Sequence, residues 1–182
     1  MNLRKTKIEG LLILKPTILK DKRGYFIESY NQMIVNKLLG NINFLQDNES
    51  ESSIGILRGL HFQKPPYAQS KLVRCVKGII LDVALDLRKN SKTYGHFETT
   101  VLSSENKEQL FVPKGFAHGF IVLSESAILS YKVDNYYNPE SESGIIWNDP
   151  DLNIDWRINK TEIRVSEKDT KLQSFNNFIT PF

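Results

Sequence analysis

The chain of 182 residues contains one cysteine, Cys75. An intrachain disulfide framework is therefore excluded, and a reducing, cytoplasmic setting is the expectation. Cys75 falls in the strand-like run Lys71–Val76 with no adjacent base, so it reads as an inert buried thiol. Long apolar runs are missing too. Gly10-Leu11-Leu12-Ile13-Leu14 is short for a secretory signal core and is ended by Lys15-Pro16. No stretch approaches the length needed to cross a bilayer, so no membrane partner is expected. Charge of one sign is scarce: 24 Lys and Arg against 21 Asp and Glu leave +3. That balance, without a basic run interleaved with aromatics, gives no reason to expect nucleic acid.

Several motifs are absent. There is no phosphate-binding GxxxxGK[ST], no dinucleotide glycine fingerprint after a strand and no GxSxG nucleophile elbow. Serine-based hydrolysis and hydride transfer both lose support. Metal-binding barrels often pair a His-x-His with a nearby glutamate and a later histidine. Here the first element is His61-Phe62-Gln63, no glutamate lies between Gln63 and Gly78, and only His118 remains of the later one. One or two ligands do not make a three- or four-ligand site, so neither metal nor cofactor is expected.

What the sequence does contain is a succession of short strand-like runs over a single domain spanning residues 1–182. The runs are Ile8–Leu14, Tyr25–Glu28, Asn43–Asp47, Gly55–Phe62, Lys71–Val76, Ile79–Leu87, Gly95–Leu102, Glu108–Val112, Gly119–Leu123 and Ala127–Val133. Asn31–Leu39, stopped by Gly40, is the one moderate helix candidate. Glu125-Ser126 fits a hairpin turn, and the tail from Tyr136 onward reads as loops and short helical turns wrapping the strands. So many strands with one helix predict an all-β sandwich or barrel.

Only three histidines are present, and two sit beside compact Gly/Pro turns. Arg58-Gly59-Leu60-His61 precedes Pro65-Pro66, and Lys71 and Arg74 lie on the next strand. If those two strands pair antiparallel, the cations converge at one strand end. Such a convergence needs an anionic ligand or carboxylate partners, because unpaired buried charge is costly. Pro113-Lys114-Gly115-Phe116-Ala117-His118-Gly119 would place His118 at a strand start, either capping the turn or facing a pocket. His96 has no such company and reads as an ordinary strand or surface residue. Tyr131 is either strand packing or a proton donor. Asp169 is either part of a solvated charge run or a carboxylate folding back on His61 to fix its tautomer.

Taken in order, these pieces resemble the dTDP-4-dehydrorhamnose 3,5-epimerase family from about Ile8 to Asp169. The matching segments include Asp21-x-Arg23-Gly24-x-Phe26-x-Glu28, Gln46-Asp47-Asn48 and Leu57-Arg58-Gly59-Leu60-His61-Phe62-Gln63. They continue through Lys71-Leu72-Val73-Arg74, Pro113–Phe120, Tyr131-Lys132, Asp149-Pro150-Asp151-Leu152 and Ser166-Glu167-Lys168-Asp169. The resemblance implies a cupin-type double-stranded β-helix (jelly roll) with short peripheral helices. It implies a homodimer with an exchanged N-terminal segment, acting on a nucleotide sugar. The implied catalytic set is His61 as base, Asp169 as its partner, Tyr131 as proton donor and Lys71 as stabiliser of the developing oxyanion. The implied substrate contacts are Arg58, His118, Gln46, Asn48, Tyr137, Glu142 and Lys168, with Arg23, Phe26 and Glu28 reaching a neighbouring site. The implied reaction inverts C3 and C5 of dTDP-4-dehydro-6-deoxy-D-glucose. Relatives that invert a single centre share most of these motifs. Phe62, Tyr67 and Ser143–Asp149 depart from the family's commoner residues.

Overall fold

Two antiparallel sheets share one apolar interior in the computed structural model, which describes residues 1–182. The larger sheet holds six strands, in spatial order β1 (Asn2–Lys5), β2 (Leu12–Lys15), β10 (Gln109–Val112), β7 (Lys71–Lys77), β12 (Ser126–Val133) and β5 (Gln46–Ser53). The smaller holds five: β13 (Glu142–Gly144), β6 (Leu57–Gln63), β11 (Phe116–Val122), β8 (Ile79–Asp86) and β9 (Phe97–Ser103). A separate hairpin joins β3 (Leu19–Asp21) to β4 (Gly24–Phe26).

The core follows from the apolar pattern. Val73, Leu110 and Leu129 of the larger sheet pack with Ile80, Ala84, Phe120 and Val122 of the smaller, which makes the pair a sandwich. The outward face of the smaller sheet is covered as well. Leu57, Leu81, Val83 and Ile121 meet Ile145, Leu152, Ile154, Trp156 and Phe178 of the C-terminal tail. With both faces covered, β8 is buried from Ile80 onward and β11 throughout, which is why their sequences run apolar without strict alternation. The tail does this through loops and three short 3-10 turns, as its sequence suggested.

The expected cupin-type double-stranded β-helix is corrected by this topology. No ladder joins the edges of the two sheets, so the barrel is not closed. The edges explain why. β5 reads QDNESESS and alternates partly exposed and exposed residues as far as the buried Ser52, and β13 is three residues long. Short, charged edge strands give a further ladder little to pair with. There is one α-helix, α1 (Gln32–Leu39), whose first turn is capped by the Asn31 side chain accepting from Met33 N–H and Ile34 N–H.

Local expectations divide. The helix falls where the sequence placed it. β6 and β7, expected to pair, lie in opposite sheets, as do β11 and β12, so Glu125-Ser126 is a crossing between layers rather than a hairpin turn. β1, β3 and β13 are absent from the sequence expectations, and β5 lies further along the chain than Asn43–Asp47 because its polar sequence carries no apolar alternation.

Candidate active site

The two layers part at one end around a cleft of about 480 Å³, lined by Arg58, His61, Lys71, His118, Tyr131 and Asp169 among others. A second lobe of about 260 Å³ shares His61, Lys71 and Tyr131 and adds Gln46, Asn48, Gln63, Tyr137 and Glu142. His61 and Arg58 come from β6, His118 from β11, Lys71 from β7 and Tyr131 from β12. The histidines therefore stand on one wall, and the lysine and tyrosine on the other.

Backbone geometry sets the histidine wall. His61 and His118 are register partners across β6 and β11, beside a bulge between His118 and Phe120. Gly59 has φ +127°, and a Cβ there would lie 2.5 Å from the Cα of Gly119 and 2.8 Å from the carbonyl oxygen of His118. Only glycine tolerates both the conformation and the approach. The tail then returns along β6: Leu57 N–H donates to the Arg164 carbonyl and Arg164 N–H to that of Gly55, each at 2.9 Å. This return delivers Asp169 to His61.

His61 Nε2 lies 2.6 Å from Asp169 Oδ1, and Gly59 N–H donates to Oδ2 at 3.3 Å. Burial resists ionisation of Asp169, but the hydrogen bonds from His61 and the Gly59 N–H outweigh it and hold the carboxyl below its usual range. An ionised Asp169 requires the proton on Nε2, which leaves the lone pair of a neutral His61 ring on Nδ1. His118 is held similarly: its Nε2 lies 2.9 and 3.0 Å from the two carboxylate oxygens of the fully buried Asp82.

On the facing wall, burial pulls the Lys71 ammonium down to about 8, against the opposing influence of Asp82 and Glu142. Those carboxylates are paired elsewhere, with His118 and Lys168. The amine thus lacks a neutralising partner of its own. Burial also raises the Tyr131 phenol above its ordinary value, with Arg58 lowering it and Glu142 adding to the rise, so the hydroxyl keeps its proton at neutral pH.

The cleft mouth is a polar cluster. Tyr137 Oη donates to Glu142 Oε2 at 2.6 Å, and Lys168 pairs with the same oxygen. Burial works against the Glu142 anion, but Lys168 and Tyr137 hold it charged; in return Glu142 raises both Tyr137 and Lys168. Gln46 donates to Asn48 at 2.8 Å, and Arg58 Nε donates to Ser52 Oγ at 3.1 Å.

Of the residues singled out from sequence, these come together in one cleft, while Arg23, Phe26 and Glu28 do not. Those three lie on or just after the exposed β3–β4 hairpin, with Arg23 bonded to Asp21. Asp82 was missed, although an aspartate in the middle of the apolar run Ile79–Leu85 is a legible signal of a buried partner. Ser50, Arg164 and Ser166 also line the cleft without having been anticipated. Phe62 borders the second lobe, but its ring packs edge-on against Phe178 and Phe182, so the ring at this departure from the family pattern serves the core. No three His, Cys, Asp or Glu side chains converge as a metal site. Chemically, the cleft offers a carboxylate-held imidazole on one wall, a neutral phenol on the other and cations around them. That arrangement suits proton removal and return at a carbon made acidic by an adjacent oxyanion-forming group.

The family profile for dTDP-4-dehydrorhamnose 3,5-epimerase matches residues 5–177. The chain is 50% identical over 180 residues to the Escherichia coli K12 dTDP-4-dehydrorhamnose 3,5-epimerase, covering 98% of this chain and 97% of that one. Among solved structures, the dTDP-4-dehydrorhamnose 3,5-epimerase of Elizabethkingia anophelis NUHP1 superposes with a TM-score of 0.93 at 51% identity, covering 97% of each chain. The dTDP-6-deoxy-D-glucose-3,5-epimerase of Legionella pneumophila, solved with dTDP-4-keto-L-rhamnose, superposes with a TM-score of 0.93 at 44% identity, covering 98% of this chain and 94% of that one.

Proposed function

The chain belongs to the dTDP-4-dehydrorhamnose 3,5-epimerase family, and from that premise we propose how its own side chains divide the work. The enzyme inverts C3 and C5 of dTDP-4-dehydro-6-deoxy-D-glucose, giving dTDP-4-dehydro-L-rhamnose for dTDP-L-rhamnose synthesis. The C4 ketone acidifies the hydrogens on both neighbouring carbons. His61 takes one of them; the C–H electron pair moves into the ring and the C4 oxygen gains the charge of an enolate. Asp169 stabilises the imidazolium that results. Lys71, a cation without a carboxylate of its own, is placed to stabilise the enolate oxygen. Tyr131 then gives its proton to the opposite face of the same carbon, which inverts the centre; the His61 imidazolium releases the abstracted proton to solvent as the Tyr131 phenolate takes one back, so both groups return to their starting states. The substrate arrives already oxidised at C4, so the chemistry is proton transfer throughout.

The observation that carries this assignment is the placement of His61 and Tyr131 on opposite walls of one cleft. Arg58, His118, Gln46, Asn48, Tyr137, Glu142 and Lys168 are assigned to substrate binding, with the cations suited to the diphosphate. Incubating the pure protein with the 4-keto sugar nucleotide in deuterated water, followed by NMR, tests the reading. Deuterium should enter at C3 and C5 with inversion at both. In His61→Ala, wash-in should stop at both carbons while the fold is retained; exchange at a near-native rate in that variant would remove His61 from the role.

We further propose a homodimer in a cytoplasmic setting. The β3–β4 hairpin leaves Leu19, Tyr25 and Phe26 more than half exposed, at 60%, 56% and 66%. Large apolar side chains grouped on a projecting hairpin favour coverage by a second copy. Arg23, Phe26 and Glu28 are assigned to that copy's cleft, because they do not reach the one in their own chain. The unpaired Cys75 is compatible with a reducing compartment.

A further inference from the structure

We infer that Gln63 is a positioning residue for the reaction, acting through Tyr137. Gln63 sits two residues beyond His61 on β6, is 5% exposed and faces Glu142 in the β6–β13 register. Its carboxamide makes three hydrogen bonds, all to backbone. Nε2 donates to the Tyr67 carbonyl at 2.7 Å and to the Tyr136 carbonyl at 3.1 Å. Oε1 accepts from Asn138 N–H at 2.7 Å. The two peptide groups flanking Tyr137 are thus both held by one side chain.

This matters because Tyr137 has little else to fix it. It lies in an irregular segment between β12 and the Pro139–Ser141 turn, outside any ladder, and is 53% exposed. Its own N–H reaches Gln46 Oε1 only at 3.4 Å. Its hydroxyl is bonded to Glu142, so the ring spans from the Gln63 clamp to the cluster at the cleft mouth. A buried carboxamide that both donates and accepts has no equivalent among apolar or ionised side chains of similar size. His61 and the clamp share one strand, so the base and the tyrosine are set in one frame. The inference rests on the assignment of Tyr137 to substrate binding.

The test is a double-mutant cycle on kcat/KM. Gln63→Met keeps the volume and removes all three bonds; Gln63→Glu keeps an acceptor for Asn138 but sets an anion against two carbonyls. Each should lower kcat/KM about tenfold or more in the native background. In a Tyr137→Ala background each should cost less than about twofold, because the residue it positions is gone. Equal losses in both backgrounds would overturn the inference, whatever the change in melting temperature. A Tyr137→Ala enzyme with native kinetics would overturn it too, and would also withdraw Tyr137 from the binding assignment. The native enzyme gives a check independent of variant folding. The Asn138 amide should be strongly protected from hydrogen exchange, and a freely exchanging Asn138 amide contradicts the clamp.

Discussion

The 2.6 Å contact between His61 Nε2 and Asp169 Oδ1 joins positions 108 residues apart, one in the middle of a strand and the other in the returning tail. It fixes the imidazole by a charge-assisted bond in a site where Asp169 is nearly solvent-free. Replacing the carboxylate with an amide should disturb tautomer and charge together. Asp169→Asn is expected to lower kcat by roughly 10²- to 10⁴-fold. Its effect on stability has a definite sign. Because the folded pKa of Asp169 is depressed, its contribution is present above the unfolded value and lost as pH falls through the folded one. Acid titrations of native and variant protein should therefore differ above about pH 4 and converge below it; parallel curves would contradict the assigned partnership.

Lys71 gives the alkaline counterpart. With its amine near 8 in the free protein, kcat/KM should fall as pH rises through about 8, as the cation that meets the enolate is lost. Lys71→Arg should move that limb upward even if overall activity drops. The stability sign is the reverse of a salt bridge. Below about 8 both states are protonated and the burial penalty is constant; between about 8 and 10.5 only the unfolded chain holds the proton, so stability rises with pH. Lys71→Met should accordingly be inactive yet more stable at pH 7, by up to roughly 3 kcal/mol. Thermal melts across pH 7–10.5 check this directly.

How much of this was legible in the sequence depends on the range of the interaction. His61 could be singled out because a rare histidine lies beside a compact Gly/Pro turn and three residues from Arg58; the steric demand on Gly59 emerges only from the close approach of Gly119. The end of α1 was legible at similarly short range, since Gly40, with φ +88°, donates its N–H to the Asn36 carbonyl four residues back. The layer to which each strand belongs was not. β6 and β7 looked like pairing neighbours, yet the segment between them carries the chain across the sandwich, and Arg58 and Lys71 meet from opposite walls. Closure failed as an expectation because it depends on edge strands, and β5 is too polar to declare itself as a strand at all. Asp82 was visible as an anomaly in an apolar run, but its pairing with His118 lies 36 residues away. The fold of Asp169 onto His61 became readable only through family resemblance.

The hairpin arm yields a prediction at the level of assembly. Sedimentation should give a dimer at assay concentration, and Phe26→Asp should weaken it, because the substitution charges a ring that is 66% exposed in one chain and assigned to a partner. If Arg23 acts in the partner's cleft, mixing Arg23→Ala with His61→Ala protein should restore activity. Each mixed dimer would then hold one cleft with both native residues. A fully active monomer, or no rescue despite subunit exchange, would contradict the shared site.

Tyr131 is assigned to finishing inversion rather than starting it. Burial raises its phenol, which keeps the proton available for donation and makes the group a poor base at neutral pH. It hangs from β12 on the wall facing the β6 histidine, so the two can address opposite faces of a sugar ring lying between them. Tyr131→Phe removes the donor and leaves the ring, with little change to packing. His61 can still take a proton from C5 and return one to the same face. Deuterium wash-in at C5 should therefore persist while formation of the C5-inverted product declines by about 10²-fold or more. The separation of exchange from inversion is the diagnostic, because a variant that merely bound substrate poorly would lose both in proportion. Undiminished inversion in Tyr131→Phe would transfer the donor role to a water or another cleft acid.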